Sequence, residues 1–211
     1  MSRTAIPARD DAPAEAQQLL DAIAKQLRFV PNMYRAASTS PNALTGMMSF
    51  RMAISSALDP RTLTRIALAV SQINECQYCL SLHTHLGMNY SGLSPVEMML
   101  NRQGISHNKK TRTLLSFVQK VVRERGKVTK IDLQSMRDNG YSDEQIVEIV
   151  TASVYYVFTN LINNVFDIDV DFPKTEIKVE TAVGASRRVR TLETQRSEPN
   201  AESSGHVRSE P

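Results

Sequence analysis

The chain has 211 residues, and its 25 Lys and Arg residues nearly balance its 22 Asp and Glu residues, which leaves a formal net charge of +3. Because the two signs are interspersed, no basic stripe or arm makes nucleic acid the default partner. No apolar run approaches the ~18 residues that span a bilayer, and no apolar stretch of signal-peptide length opens the chain. We therefore expect a soluble, cytosolic protein.

Abundant Ala, Leu, Met, Gln, Glu, Lys and Arg favour a mainly helical fold. Apolar residues at helical spacing and capping signals predict eight helices in chain order. They cover residues 15–27, 41–58, 61–73, 75–87, 95–100, 108–125, 129–139 and 142–165. The last of these has apolar residues on most of its faces, which predicts that it is the central buried helix. Asn74 is predicted to cap the fourth helix, with Glu75 and Cys76 in its first turn.

Composition divides the chain into three parts. Residues 1–14 contain Pro7 and Pro13 and are predicted to form a flexible N-terminal arm. Residues 15–173 carry the helical pattern and are predicted to form one domain. Residues 174–211 are rich in Ser, Glu, Arg, Thr and Pro, which predicts a disordered tail.

Both cysteines and two of the four histidines lie within residues 76–85. Two thiols three residues apart suit reversible disulfide chemistry, because the resolving thiol is already in place. On an ideal helix Cys76, Cys79 and His83 fall within about 60° of one another, whereas His85 lies roughly opposite Cys76. The first turn of a helix also favours thiolate over thiol. The spacing therefore predicts a dithiol with one imidazole beside it.

Other interpretations of this cluster remain open. A zinc site would lack a fourth ligand, since only Cys76, Cys79 and His83 share a face and no second Cys-x-x-Cys appears. The pair could also be two ordinary half-buried cysteines. His83 is predicted to draw the thiol proton or to stabilise the thiolate. Glu75 is interpreted mainly as a favourable first-turn charge, with proton handling as the second interpretation.

Several residues of reactive or aromatic type are predicted to have no chemical role. His85 and His107 are expected to be solvated. The remaining ones are expected to be core residues, namely Met47, Met48, Met52, Tyr155, Tyr156 and Phe158.

The segment 70–79, Val-Ser-Gln-Ile-Asn-Glu-Cys-Gln-Tyr-Cys, followed by His83, resembles the alkylhydroperoxidase D-like or carboxymuconolactone decarboxylase-like family. Supporting segments are residues 29–32, residues 140–146, Asn160, Asn163 and residues 171–173. The resemblance covers roughly residues 15–173. It implies an all-α alkylhydroperoxidase D-like fold of about seven to eight helices that assembles into homo-oligomers, often trimers or hexamers.

The resemblance also implies a reaction that needs no cofactor or metal. Cys79 would attack a hydroperoxide and become a sulfenic acid, and Cys76 would resolve it to a disulfide. A dithiol such as a lipoylated or thioredoxin-like protein would reduce that disulfide. His83 would belong to the relay that activates the thiol.

One position departs from the family pattern. Redox-active members carry a glutamate about twelve residues before the first cysteine, where this chain has Thr64. Glu75 is the candidate to replace it as a proton relay. The decarboxylase members generally lack the dithiol. We therefore expect a peroxidase-like thiol oxidoreductase, with a non-enzymatic oligomeric redox-sensing or binding protein and a carboxymuconolactone decarboxylase-like enzyme as the alternatives.

Overall fold

The computed structural model describes residues 1–177, which form nine α-helices and contain no β-strand. The helices are α1 (Ala14–Leu27), α2 (Asn32–Ala37), α3 (Pro41–Ala57), α4 (Pro60–Ile73), α5 (Gln77–Asn89), α6 (Pro95–Arg102), α7 (Lys109–Arg123), α8 (Lys130–Asp138) and α9 (Asp143–Phe166). The all-α prediction is confirmed. The helix that the sequence missed is α2, because Pro31 suggested a break. Pro31 in fact precedes the first turn of α2, where the absence of its N–H costs nothing.

The helix at the centre of the fold is α4, which packs against α5, α6, α7 and α9. An almost continuous run of its residues, from Leu63 to Ser71, is buried. The prediction that residues 142–165 form the central helix is wrong. Helix α9 buries one side and leaves an apolar stripe more than half exposed, made of Val147, Val154, Leu161 and Val165. Apolar residues on most faces therefore indicated an uncovered stripe as well as a core face.

Within the described residues, α9 is the one helix whose length and hydropathy would allow it to cross a membrane, and 44% of its most apolar window is buried inside the fold. It packs against α3, α4, α5 and α7. Core helices of soluble proteins meet the same criterion of length and composition, and this packing is typical of such a helix.

The turn between α4 and α5 is a Schellman motif. The Cys76 N–H donates to the Ser71 carbonyl at 3.0 Å, and the Glu75 N–H donates to the Gln72 carbonyl at 3.3 Å. Glu75 has φ 50°, the left-handed conformation that this motif requires and that glycine adopts most easily. Asn74 therefore ends α4, and the prediction that it caps α5 is wrong.

The two ends of the described chain lie against the helical domain. Arg35 donates hydrogen bonds to the carbonyls of Ile6 and Pro7 at 3.0 and 2.9 Å. At the other end, the Thr175 N–H donates to Ser81 Oγ at 3.1 Å, and Arg102 donates to the Ile177 carbonyl at 3.0 Å. Most of the predicted tail, residues 178–211, lies outside the described residues.

The left-handed conformation of Glu75 generates a prediction about stability. Glu75→Gly should raise the free energy of unfolding by about 0.5–1 kcal/mol, because glycine adopts a positive φ without steric cost. The matched control is Glu148→Gly in the interior of α9, which should lower it by about 1 kcal/mol. Urea unfolding monitored by circular dichroism measures both. A loss of stability in Glu75→Gly would show that the glutamate side chain has a structural role.

Candidate active site

The two cysteines lie at the start of α5. Cys76 occupies the N-cap position, outside the first turn, and its Sγ accepts a hydrogen bond from the Cys79 backbone N–H at 3.3 Å. Both are free thiols with no more than 1% exposure. The prediction that Cys76 lies within the first turn is wrong because α5 begins at Gln77. The N-cap position nevertheless turns the Cys76 sulfur towards the first turn, where Cys79 lies.

Two asparagines of α9 hold this region. Asn163 Nδ2 donates to Cys79 Sγ at 3.2 Å and to the Thr159 carbonyl at 2.9 Å, which fixes the orientation of the amide. Asn160 Nδ2 donates to Ser71 Oγ at 3.2 Å, and Asn160 Oδ1 accepts from Asn74 at 3.0 Å. Although the sequence resemblance included Asn160 and Asn163, it assigned them no role.

The surroundings of Cys79 favour the protonated form of its thiol. Burial raises the pKa of Cys79 well above its ordinary value, and the adjacent Cys76 raises it further. The amide donors of Asn160 and Asn163 lower the pKa only partly. Burial of Cys79 therefore opposes the thiolate that the helix N-terminus was expected to favour.

A cavity of about 480 Å³ opens beside Cys79, a volume typical of small-molecule sites. Cys79 lines it, whereas Cys76 does not. Most of the lining is apolar, and the polar side chains include Arg51, His83 and His85. Aromatic rings of Tyr34, Tyr155, Tyr156 and Phe172 complete much of the wall. Of the two sulfurs, Cys79 is therefore the one that a ligand in the cavity meets.

His83 lines the same cavity four residues after Cys79. Its ring packs edge-on against Tyr156, with the ring centroids 5.1 Å apart. Burial lowers the pKa of His83 to about 3, and the charge of Arg51 contributes to the shift. The imidazole is therefore neutral at physiological pH and can accept a proton only weakly. No hydrogen bond joins His83 to Cys79 in the described part of the chain.

His85 is a site residue that the sequence analysis missed. It lines the cavity and packs against Phe172, with the ring centroids 5.6 Å apart. The sequence prediction excluded His85 because it lies opposite Cys76 on an ideal helix. Cys76 is in fact the N-cap residue and lies outside the helix. His107 is exposed, as expected. Among the predicted core residues, Met52 instead lies exposed at the cavity.

Neither candidate for the outer end of the proton relay reaches the thiols by hydrogen bonding in this structure. The Glu75 side chain is exposed, and its residue precedes α5, so the assumed helical spacing from Cys79 does not exist. Thr64 donates to the Pro60 carbonyl at 2.8 Å and shares a hydrogen bond with Ser91 at 2.7 Å. For the zinc interpretation, residues 1–177 contain no group of three His, Cys, Asp or Glu that could hold a metal ion.

The low pKa of His83 predicts a loss of stability in mild acid. The unfolded chain binds a proton at this residue below about pH 6.5, whereas the folded chain resists protonation down to about pH 3. Stability from His83 is therefore fully present above pH 6.5 and is lost as the pH falls. Between pH 7 and pH 5 the loss should be about 1–2 kcal/mol.

Urea unfolding of wild type, His83→Gln and the exposed control His107→Gln at both pH values measures this contribution. His83→Gln should show the smaller pH dependence, and His107→Gln should match wild type. Equal pH dependence in all three would show that His83 titrates normally.

Part of the chain matches the model of a known family. Residues 41–103, which contain Cys76, Cys79 and His83, match the model of the Carboxymuconolactone decarboxylase family. Comparison with the curated proteins gives no match.

Solved structures share the fold. The alkylhydroperoxidase AhpD core of an uncharacterized peroxidase-related protein from Ralstonia eutropha JMP134 is 20% identical, with a TM-score of 0.74 over 81% of this chain and 92% of that one. An uncharacterized peroxidase-related protein from Silicibacter sp. TM1040 is 23% identical, with a TM-score of 0.71 over 80% and 91%. The apo debrominase Bmp8 is 20% identical, with a TM-score of 0.66 over 78% and 90%. The family match over residues 41–103 and the shared fold bear out the resemblance to the alkylhydroperoxidase D-like or carboxymuconolactone decarboxylase-like family, and residues 1–177 have the alkylhydroperoxidase D-like fold.

Proposed function

We propose that the chain is a thiol-dependent, peroxidase-like oxidoreductase that reduces organic hydroperoxides through Cys79 and Cys76. The observation that carries this proposal is the unequal placement of the two sulfurs. Cys79 lines the cavity, whereas Cys76 does not. The Sγ of Cys76 accepts a hydrogen bond from the Cys79 N–H, so the second sulfur stays next to the first. This arrangement suits one thiol that meets the substrate and a second that resolves the product.

The reaction balances without a cofactor. The Cys79 thiolate attacks one peroxide oxygen, an S–O bond forms as the O–O bond breaks, and the leaving alkoxide takes a proton to become an alcohol. The Cys76 thiol then attacks the sulfenic acid of Cys79, so that a disulfide forms and water leaves. A dithiol protein, lipoylated or thioredoxin-like, returns two electrons and two protons by disulfide exchange.

The site sets a condition on the first step. The resting thiol of Cys79 must lose its proton, and His83 is the neutral nitrogen that lines the same cavity. A base with so low a pKa holds the proton only transiently. Turnover should therefore be slow at neutral pH and should rise as the pH increases above the ordinary thiol value of about 8.5.

Loss of Cys79 tests the enzymatic proposal. Consumption of cumene hydroperoxide with dihydrolipoamide as reductant should fall to the uncatalysed rate in Cys79→Ser. The matched variant Cys76→Ser should retain a first turnover and accumulate a sulfenic acid on Cys79, seen by mass spectrometry as one added oxygen. Equal consumption by wild type and Cys79→Ser would contradict the proposal.

The outcomes also separate the alternatives. A disulfide formed by peroxide without turnover would favour a redox-sensing protein. Lactone decarboxylation that survives loss of both cysteines would favour a carboxymuconolactone decarboxylase-like enzyme.

Reductive debromination is a second candidate function. A cysteine-to-alanine variant of debrominase Bmp8 in complex with 2,3,4-tribromopyrrole shares this fold, with a TM-score of 0.67. That reaction would oxidise the same dithiol to a disulfide and release hydrogen bromide.

We further propose that the protein acts in the cytosol as a homo-oligomer, a trimer or hexamer. The exposed stripe of α9 supports association between chains. Its residues Val147, Val154 and Leu161 repeat every seven positions, which is the spacing at which two helices pack together.

Light scattering should give a multiple of the chain mass of 23.6 kDa. The double variant Val154→Glu/Leu161→Glu should lower that mass, whereas the control Ser116→Glu on α7 should not. A wild-type chain that remains monomeric would contradict the oligomer.

A further inference from the structure

Arg51 of α3 brings an uncompensated positive charge to the cavity. Its Nη1 is buried and has no hydrogen-bond partner. Within residues 1–177, no carboxylate forms an ion pair with it, and no Asp or Glu lines the cavity. A guanidinium stays protonated in proteins, so a half-buried one that has a buried, unbonded nitrogen and no counter-charge is costly unless a ligand supplies both.

The aromatic neighbours of Arg51 do not supply the missing negative charge. Burial raises the pKa of Tyr156 to about 12, and it also raises the pKa values of Tyr155 and Tyr34. All three are therefore neutral phenols at physiological pH. Their hydroxyl groups can donate hydrogen bonds to an anion, which adds to the polarity of this one region.

The rest of the cavity is suited to a hydrocarbon. Its interior wall includes the aliphatic side chains of Leu19, Ile23, Leu27, Met48, Leu82 and Leu86. Phe29, Met52 and Tyr90 also line it although each is more than 40% exposed, so apolar side chains continue to the mouth. The cavity thus combines a single cationic group with a large apolar surface.

We propose that the cavity binds an amphipathic organic acid, with its carboxylate on Arg51 and its alkyl chain along the apolar wall beside Cys79. A guanidinium binds a carboxylate through two parallel hydrogen bonds, which fixes the orientation of the ligand as well as its charge. The identification of the ligand as a peroxide rests on the proposed function. If that function holds, the substrate class is a carboxylate-bearing alkyl hydroperoxide. The binding of the acid itself does not depend on that activity.

Calorimetry with decanoate and decanol tests the carboxylate contact, because the two ligands share an alkyl chain and differ in the head group. Titrations use full-length Cys79→Ser, so that redox chemistry cannot contribute. In that background, decanoate should bind about ten-fold to a hundred-fold more tightly than decanol. Arg51→Met should abolish the preference, whereas Arg51→Lys should keep part of it.

The control Arg123→Met removes an exposed arginine from α7 and should leave the preference intact. Equal affinity for decanoate and decanol in the Cys79→Ser background would overturn the inference, and so would an undiminished preference in a folded Arg51→Met variant. Thermal melting establishes that each variant is folded. The comparison of the two ligands tests the inference even if Arg51→Met does not fold.

The two proposals can fail separately. A preference for decanoate without peroxide consumption by wild type would overturn the peroxidase and leave the acid site standing. Peroxide consumption with equal affinity for acid and alcohol would overturn the acid site alone. With both intact, Arg51→Met should lower kcat/KM for a fatty-acid hydroperoxide about ten-fold or more relative to that for cumene hydroperoxide.

Discussion

The site depends on the hydrogen bonds between α9 and the turn from α4 to α5. Asn160 bonds to Ser71 and to Asn74, on the two sides of the point where α4 ends. Asn164 donates to the Asn74 carbonyl at 2.8 Å, so the same turn is held a second time. Because this turn fixes where α5 begins, it fixes the N-cap position of Cys76 and the first turn that carries Cys79. A rigid support of this kind is what a reactive pair needs to keep its geometry.

Burial shifts the pKa values of the two groups that would exchange a proton in opposite directions, raising that of Cys79 and lowering that of His83. It disfavours the charged form of each, so it keeps Cys79 as a thiol and His83 as a neutral imidazole. The resting site is therefore poorly prepared for nucleophilic attack. Arg51 adds to this state because its charge further disfavours a protonated His83. Whatever reduces the effect of that charge makes His83 a better acceptor for the Cys79 proton.

Much of this arrangement could be predicted from local sequence. Residue spacing placed Cys79 and His83 on one helix, and capping patterns found eight of the nine helices. What failed depends on longer-range or conformational features. The positive φ of Glu75 moved the start of α5 by two residues, and no pattern in the sequence signals a left-handed glutamate. Arg51 precedes Cys79 by 28 positions on another helix, so only tertiary packing reveals that both line one cavity.

The missing carboxylate and the unpaired arginine can be explained together. Thr64 has a neutral hydroxyl group, so position 64 supplies no negative charge to the site. That hydroxyl group forms hydrogen bonds with the Pro60 carbonyl and with Ser91. A ligand carboxylate on Arg51 would bring such a charge near His83 only when substrate is bound. The opposite charge would raise the pKa of His83 and so favour transfer of the Cys79 proton. Activation would then be coupled to binding, and the buried thiol would stay inert towards small oxidants while the cavity is empty.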